Sequence, residues 1–446
     1  MMKSRKFIDR EIELTHLEKI YHKSGLKFVI ITGRRRIGKS RLIKEFIKNK
    51  DHLRVQFEKR SNRYNLMRIN QAIAKKENIP DPNFSSFSDV FEYIAKTNIK
   101  IIILDEFSYL IKYSDALAEF QTIIDEMLQN SDLMLITLGS SFSIMKRGLL
   151  EYSSPLYGRS EGVINLQPLG LKELFLWFPQ TSAADIIRIH GACGGVPRYL
   201  ELFNGQNEIK KEIEKLFFDP NSFLFHEARE LLEEEFDDPV TYYSVLEAVS
   251  MGNTRVSDIG NHAFLEPKNT TKYLNILTKL GILKHEFPYG MNRKRGIYRF
   301  KDHYFAFWFK FISMYFEDIE SGFNQEAIAR FRSEFETYLG HHFEVAMPKL
   351  THNLIPFDNR SMGRWWYKGE EIDLILEGKK DICFVEYKWQ KLSKGKAEKI
   401  IEDLISRSHS FNTRKKKIHY LLFGREIEKK FEIEKYNILV KDLNDL

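Results

Sequence analysis

The stretch 28–42, FVIITGRRRIGKSRL, constrains what this 446-residue chain can fold into more than any other. It opens on Phe28, Val29, Ile30 and Ile31, an apolar run expected of a strand buried on both faces. The chain then turns through Gly33, Arg34, Arg35, Arg36, Ile37, Gly38, Lys39 and Ser40. After the turn, Leu42, Ile43, Phe46 and Ile47 recur at the spacing of one helix face. Strand, G-x-x-x-x-G-K-S and helix in that order predict a phosphate loop. Its backbone N–H groups and the helix N-terminus attract a β-phosphate, and Gly33 and Gly38 supply angles closed to other residues. Lys39 is placed to reach the β- and γ-phosphates, and the Ser40 hydroxyl to ligate Mg²⁺. The run from Gly33 through Ser40 to Arg41 is therefore the expected nucleotide-binding set. A glycine-rich turn with a basic surface would explain the loop, but not the strand and helix that flank it.

A second apolar run, Ile101 to Leu104, ends in Asp105 and Glu106. This is the Walker B pattern, a buried parallel strand whose C-terminal end presents carboxylates beside the phosphates. Asp105 is expected to hold Mg²⁺ through its waters, and Glu106 to position or deprotonate the attacking water. Leu133 to Leu138 reads as the next buried strand and ends in Gly139-Ser140-Ser141. Ser140 is expected between the two Walker strands, sensing the γ-phosphate or orienting the water; ordinary turn chemistry is the alternative. Leu53 to Phe57 alternates like a strand, and helices are predicted over 65–76, 87–95 and 116–128. This alternation describes a parallel three-layer α/β domain. Ahead of it, Leu17, Ile20 and Tyr21 mark an amphipathic helix, with Arg10 serving either as a nucleotide contact or in packing.

Hydrophobic residues make up 43% of the chain and charged ones 29%, which is globular composition with room for roughly two to four domains. A net charge of +7 permits nucleic-acid contact without requiring it. Cys193 and Cys383 form neither a disulfide framework nor a zinc motif, and suit small buried positions in a reducing compartment. No apolar stretch is long enough to span a bilayer, and the N-terminus lacks the apolar core of a signal peptide. The expectation is a soluble, cytoplasmic protein without a membrane partner.

Five segments together carry a family resemblance: GRRRIGKS, the strand ending Leu104-Asp105-Glu106, the Gly139-Ser140-Ser141 turn, Ser154-Pro155-Leu156-Tyr157-Gly158-Arg159, and Gly194-Gly195-Val196-Pro197-Arg198-Tyr199-Leu200. They resemble the archaeal-type ATPase family, which is related to AAA+ and STAND NTPases. The resemblance implies an ATP-binding domain with a small helical lid. In it, Arg159 matches an arginine finger, which acting in trans would require a homo-oligomer, while Pro197 and Arg198 lie in the lid near the base. A guanidinium at the γ-phosphate stabilises transition-state charge. A surface ion pair for Arg159 and lid packing for Arg198 are the alternatives.

The remainder divides the chain into 1–165, 166–236, 237–315 and 316–446. After a charge-rich helical linker over 209–235, Tyr242 to Leu246, Val256 to Ile259 and a longer helix bearing Tyr273, Leu274, Leu277 and Leu280 precede two strands, Ile282 to His285 and Ile297 to Phe300. A loop with Arg293, Lys294 and Arg295 joins the strands. Three helices and a basic-tipped hairpin predict a winged helix, whose third helix would offer Lys268, Asn269, Thr270 and Lys272 to double-stranded DNA. Packing against protein is the other use of such a unit. The aromatic run 302–312 fits a stacking platform for single strands or a buried helix, and core packing suffices to explain it.

Near the C-terminus, Tyr338 to Glu344 reads as helix. Its vicinal His341 and His342 point in different directions, so no metal site is expected of that pair. Strands are expected from Trp365 onward. Glu371 to Leu376 turns at Gly378 into Phe384-Val385-Glu386-Tyr387-Lys388, with Glu386 and Lys388 on one face and Asp373 on the neighbouring strand. Two carboxylates there suit a second Mg²⁺, and Lys388 would position a water for attack on a phosphodiester. This is similar to the Asp…Glu-x-Lys core of restriction-endonuclease-like, PD-(D/E)XK, nucleases. The family's C-terminal domain resembles that fold, and Glu344 matches its helix carboxylate. The alternative is a retained fold whose acids pair with nearby lysines. A helix over 396–405, a basic run 414–417, a strand over 418–423 and an edge strand over 437–440 complete the chain.

Three functions fit: a Mg²⁺-dependent ATPase switch acting on DNA, an ATP-gated metal-dependent endonuclease, and a nucleotide-holding signalling or scaffold protein with little turnover.

Overall fold

The computed structural model describes residues 7–111, 114–205, 208–291, 296–413, 415–428, 432–433 and 437–446. Arg293, Lys294, Arg295 and Arg414, named above for their charge, lie outside the described residues. The chain forms two compact units. One comprises the chain up to Pro168 with Val196–Arg198 and Glu234–Asp237; the other comprises Leu169–Gly195, Tyr199–Glu233 and Asp238–Leu446. Most of the helical segment 166–236 therefore groups with the C-terminal part of the chain.

The first unit is built on a five-stranded sheet. Its strands are β1 (Lys27–Thr32), β2 (His52–Gln56), β3 (Ile101–Asp105), β4 (Met134–Gly139) and β5 (Gly162–Asn165), in the order β2-β3-β4-β1-β5. All pairs are parallel, so each strand ends on the same edge as its neighbours. The runs read from the sequence as buried strands are fully buried at β1, β3 and β4. β4 lies between the phosphate-loop strand β1 and the acid-bearing strand β3, with Gly139 level with Thr32 and Thr137 level with Leu104. That register brings the loop after β1, the acids after β3 and the turn after β4 to one edge. The helix Phe87–Ala95 matches its predicted bounds and starts at a capping box, Ser86 with Asp89. The predicted helix over 116–128 is instead an α-helix, Ser114–Thr122, continued by one π-helical turn, Ile123–Met127.

In the second unit, helices Val240–Ser250, Val256–His262 and Pro267–Lys279 precede the antiparallel pair β6 (Leu283–Glu286) and β7 (Ile297–Phe300), the predicted order. Thr270 departs from expectation. It is buried, and its hydroxyl donates to the Glu266 carbonyl at 2.9 Å one turn back, whereas Lys268, Asn269 and Lys272 are exposed. The aromatic run forms the helix His303–Phe311 with Tyr304, Phe305, Phe307, Trp308, Phe309 and Phe311 all buried. Trp308 Nε1 donates to the Phe225 carbonyl at 2.7 Å and Tyr304 Oη to that of Leu224 at 2.9 Å. These rings are core, which overturns the stacking-platform reading.

The C-terminal part is a six-stranded mixed sheet of β8 (Asn359–Tyr367), β9 (Glu370–Gly378), β10 (Asp381–Leu392), β11 (Lys417–Ile427), β12 (Glu432–Ile433) and β13 (Ile438–Asp442). The order is β12-β13-β11-β10-β9-β8, so Trp365, Trp366 and Tyr367 end the first strand rather than begin it, and β13 is not an edge: the two residues of β12 cover it. Ala397, Ile401 and Leu404 of helix Lys394–Ser408 pack into one core with Phe384 and Leu422. Phe343, on the helix Gln325–Ala346, meets Tyr387 edge-on and packs at a tilt against Trp389 and Phe423. Among the described residues no helix is long and apolar enough to cross a membrane. Cys193 and Cys383 are buried free thiols.

Candidate active site

The loop 33–40 leaves β1 through backbone angles that few side chains tolerate. Gly33 has φ +145°, Arg36 +68° and Gly38 +100°. A Cβ on Gly33 would lie 2.9 Å from the Leu166 carbonyl oxygen. The helix Lys39–Phe46 then starts with Lys39 buried and Ser40 exposed. Lys39 Nζ donates to the carbonyls of Gly33 at 2.7 Å and Arg34 at 3.2 Å, and to Ser140 Oγ at 3.1 Å. Burial pushes its pKa down to about 8, against the attraction of Glu106 and Asp105.

The acids meet the loop from β3. Ser40 Oγ donates to Asp105 Oδ2 at 3.2 Å, and Ser140 Oγ donates to Glu106 Oε1 at 2.8 Å. Glu106 is a non-glycine residue in the left-handed region, φ +55°, and its Oε2 is buried with no hydrogen-bond partner among the described residues. Strain and an unsatisfied carboxylate oxygen at one residue are features that concentrate at reactive sites. Ser140 thus joins the lysine of the loop to the acid of the neighbouring strand, in the place the sequence assigned to it. Hard oxygens at Ser40 and Asp105 fit Mg²⁺ by donor chemistry.

Arg54 of β2 also reaches this cluster, donating to Asp105 Oδ2 at 2.5 Å. Sequence reasoning passed over it; the only signal was a charged residue between Leu53 and Val55 on the polar face of an alternating strand. Arg35 pairs with Glu234 at 3.0 Å. Ile37 is buried, Arg41 is exposed, and Pro197 Cγ lies 3.9 Å from where a Cβ on Gly38 would stand. Arg198 is exposed. Arg10, with φ +89°, donates to the Gln167 carbonyl at 2.7 Å and to Glu13 at 3.2 Å. Arg159 is held in a two-pronged pair with Asp125, both contacts at 2.7 Å, and caps the Pro155 carbonyl at 2.5 Å.

In the second unit the Asp…Glu-x-Lys residues come together as the strand pattern predicts. Asp373 Oδ2 accepts from the Tyr387 N–H at 2.9 Å, and Lys388 Nζ donates to Glu386 Oε1 at 2.6 Å. Arg407 stands 3.1 Å from Glu386, and Arg364 3.3 Å from Glu344. Burial, with the charges of Glu386 and Glu344 adding to it, pushes the Asp373 carboxyl up to about 8. His341 and His342 diverge as expected: His341 lies 3.5 Å from Glu344, while His342 faces His190 and His303.

A five-stranded parallel sheet with the phosphate loop, acid pair and polar turn at one edge defines a P-loop NTPase. Residues 7–203 match the model of an ATPase domain predominantly from Archaea, and residues 308–400 that of archaeal and bacterial proteins of unknown function. An uncharacterized protein of Methanocaldococcus jannaschii is 34% identical over 454 residues, spanning 98% of this chain and 99% of that one. An uncharacterized ATP-binding protein of the same organism is 43% identical over 44 residues, 10% of this chain and 75% of that one. Among solved structures, the Walker-type ATPase of Pyrococcus abyssi aligns with a TM-score of 0.54 at 21% identity, covering 69% of this chain and 98% of that chain. The chain belongs to the archaeal-type ATPase family, and its first unit is an ATP-binding ATPase domain.

Proposed function

We propose that this protein hydrolyses ATP to ADP and phosphate with Mg²⁺ and uses the bound nucleotide to switch an action on DNA. The observation that carries the reading is the chain Lys39–Ser140–Glu106 beside the pair Ser40–Asp105. Lys39 supplies charge to the β- and γ-phosphates. The Ser140 hydroxyl, held by Lys39, fixes one oxygen of Glu106 and leaves Oε2 as the acceptor for the proton of a water attacking the γ-phosphorus. The bond from that phosphorus to the bridging oxygen of ADP breaks as the new one forms. Ser40 and Asp105 would hold Mg²⁺, which would supply charge neutralisation at the phosphate oxygens.

Action on DNA is supported by the three helices and hairpin over 240–300, which fit a winged helix, and by the exposed Lys268, Asn269 and Lys272 on its third helix. A second reading, an ATP-gated endonuclease, is favoured by one observation: the Asp373 carboxyl sits in a buried group of acids with Lys388 hydrogen-bonded to Glu386. Such a group gains from a divalent cation, which would relieve the repulsion among its carboxylates.

One experiment separates these readings from a binding protein with little turnover. Phosphate release and strand cleavage are measured with DNA and Mg²⁺, with and without ATP, in wild type, Lys39→Ala, Glu106→Gln and Asp373→Ala. DNA-stimulated hydrolysis lost in Lys39→Ala supports the switch. Cleavage abolished by Asp373→Ala supports the endonuclease. Retained nucleotide with neither activity leaves the signalling or scaffold role.

A further inference from the structure

Three histidines from three helices converge in the second unit. His190 comes from the helix Ala183–Cys193, His303 opens the helix His303–Phe311, and His342 lies in the helix Gln325–Ala346. His190 Nδ1 is 3.0 Å from His342 Nε2, and His342 Nδ1 is 3.2 Å from His303 Nδ1. One ring nitrogen from each can be chosen so that all three lie within 4.8 Å of one another. The helices approach closely here for a specific reason. Gly191 has no side chain, and a Cβ on it would stand 2.6 Å from Leu339 and 3.4 Å from the His342 ring. His303 and His342 also line a cavity of about 570 Å³, together with His341, Tyr298, Arg299 and Thr337.

We propose that His190, His303 and His342 form a zinc site with three nitrogen ligands and a fourth position open to this cavity. Zn²⁺ bonds imidazole nitrogen at roughly 2.0–2.1 Å, so neighbouring ligands of a tetrahedral ion stand about 3.3 Å apart. The contacts at 3.0 and 3.2 Å use opposite nitrogens of His342, and with one nitrogen taken from each ring the three lie within 4.8 Å, so a small rotation of the rings closes them on an ion. Imidazole as the sole donor suits a borderline divalent ion, whereas Mg²⁺ requires oxygen. Burial holds all three rings below their ordinary pKa, His303 at about 3, so each ring is neutral and keeps a lone pair at neutral pH. The competing description is a hydrogen-bonded trio of core imidazoles, which the same contacts satisfy without an ion. The cavity, lined by His303 and His342, would give an ion and its fourth ligand a way in, and metal content distinguishes the two.

The test is metal content of the full-length protein after chelator treatment, reloading with Zn²⁺ and exhaustive dialysis. The expected result is one zinc per chain in wild type, at least a tenfold loss in His342→Phe and His303→Phe, and full content in His341→Ala and Asp373→Asn. Loading with Co²⁺ provides a reading independent of variant folding. The intense visible bands of a four-coordinate ion, without the near-ultraviolet thiolate charge-transfer band that Cys193 would give, support the site. A wild-type protein holding under a tenth of an equivalent of zinc, or giving only the pale spectrum of six-coordinate Co²⁺, overturns it. So does zinc retained at full content in folded His342→Phe and His303→Phe.

Discussion

Lys39 and Glu106, which follow the strands on either side of β4, share a single hydroxyl. Ser140 Oγ accepts from the Lys39 ammonium at 3.1 Å and donates to Glu106 Oε1 at 2.8 Å. In the proposed mechanism this contact ties the charge at the phosphates to the base that handles water. Ser140→Ala should leave ATP affinity within about threefold and lower kcat by about ten- to a hundredfold, since a positioning contact is lost while the base remains. Glu106→Gln should retain bound ATP and lose turnover. Equilibrium nucleotide binding alongside steady-state phosphate release checks both, and normal turnover in Glu106→Gln would remove that residue from the mechanism.

The buried ammonium of Lys39 gives ATP binding a pH dependence. With its pKa lowered to about 8, Lys39 is charged below that pH and becomes neutral above it. Bound phosphate favours the charged form, so above pH 8 binding must take up a proton. Affinity should fall by up to about tenfold per pH unit from pH 8 toward 10. Lys39→Arg, always charged, should show a flat profile over the same range. Fluorescent-nucleotide titrations across pH 7–9.5 compare the two.

Asp373 has the opposite linkage to its ordinary behaviour. Its folded pKa is raised to about 8, while the unfolded chain ionises near the usual aspartate value of about 3.9. Between those limits the folded state binds more protons, so stability contributed at this position declines as pH rises from about 4 to 8. Asp373→Asn removes that decline. Thermal unfolding at a series of pH values should show the variant gaining on wild type toward alkaline pH, and a constant difference would contradict the assignment.

The Arg159–Asp125 pair is partly exposed and two-pronged, which places its contribution to stability at about 1 kcal/mol or less. If Arg159 serves a neighbouring subunit, it must leave Asp125 to do so. Asp125→Ala should then raise hydrolysis several-fold at high protein concentration, and Arg159→Ala should lower it about tenfold or more, with unfolding temperatures nearly unchanged. Rates measured against protein concentration decide, because a surface pair would leave both variants at wild-type turnover.

On the DNA side, Lys268→Ala and Lys272→Ala should each weaken duplex binding uniformly across sequences. Each should also reduce the slope of log affinity against log salt by about one. Thr270→Val should leave that slope unchanged, because the Thr270 hydroxyl is already bonded to the Glu266 carbonyl.

The nucleotide site was legible in the sequence because its chemistry is local. A phosphate loop needs glycines, a lysine and a hydroxyl within one turn between a strand and a helix, and residues 28–47 supply them in order. The apolar runs of β1, β3 and β4 announced a parallel sheet, and alternation in β10 put Glu386 and Lys388 on one face. Tertiary structure alone decided what depends on one element approaching another. Arg54 meets Asp105 only because β2 pairs with β3. Periodicity alone does place Thr270 inward, four residues before Leu274 and seven before Leu277 on one helix face, while its neighbour Asn269 faces solvent. His342 looked like half of an unusable pair, yet it meets His303, 39 positions away, and His190, 152 positions away. Helix periodicity states which face a residue occupies, but three helices must pack, at a glycine that lets them close, before their imidazoles share a centre.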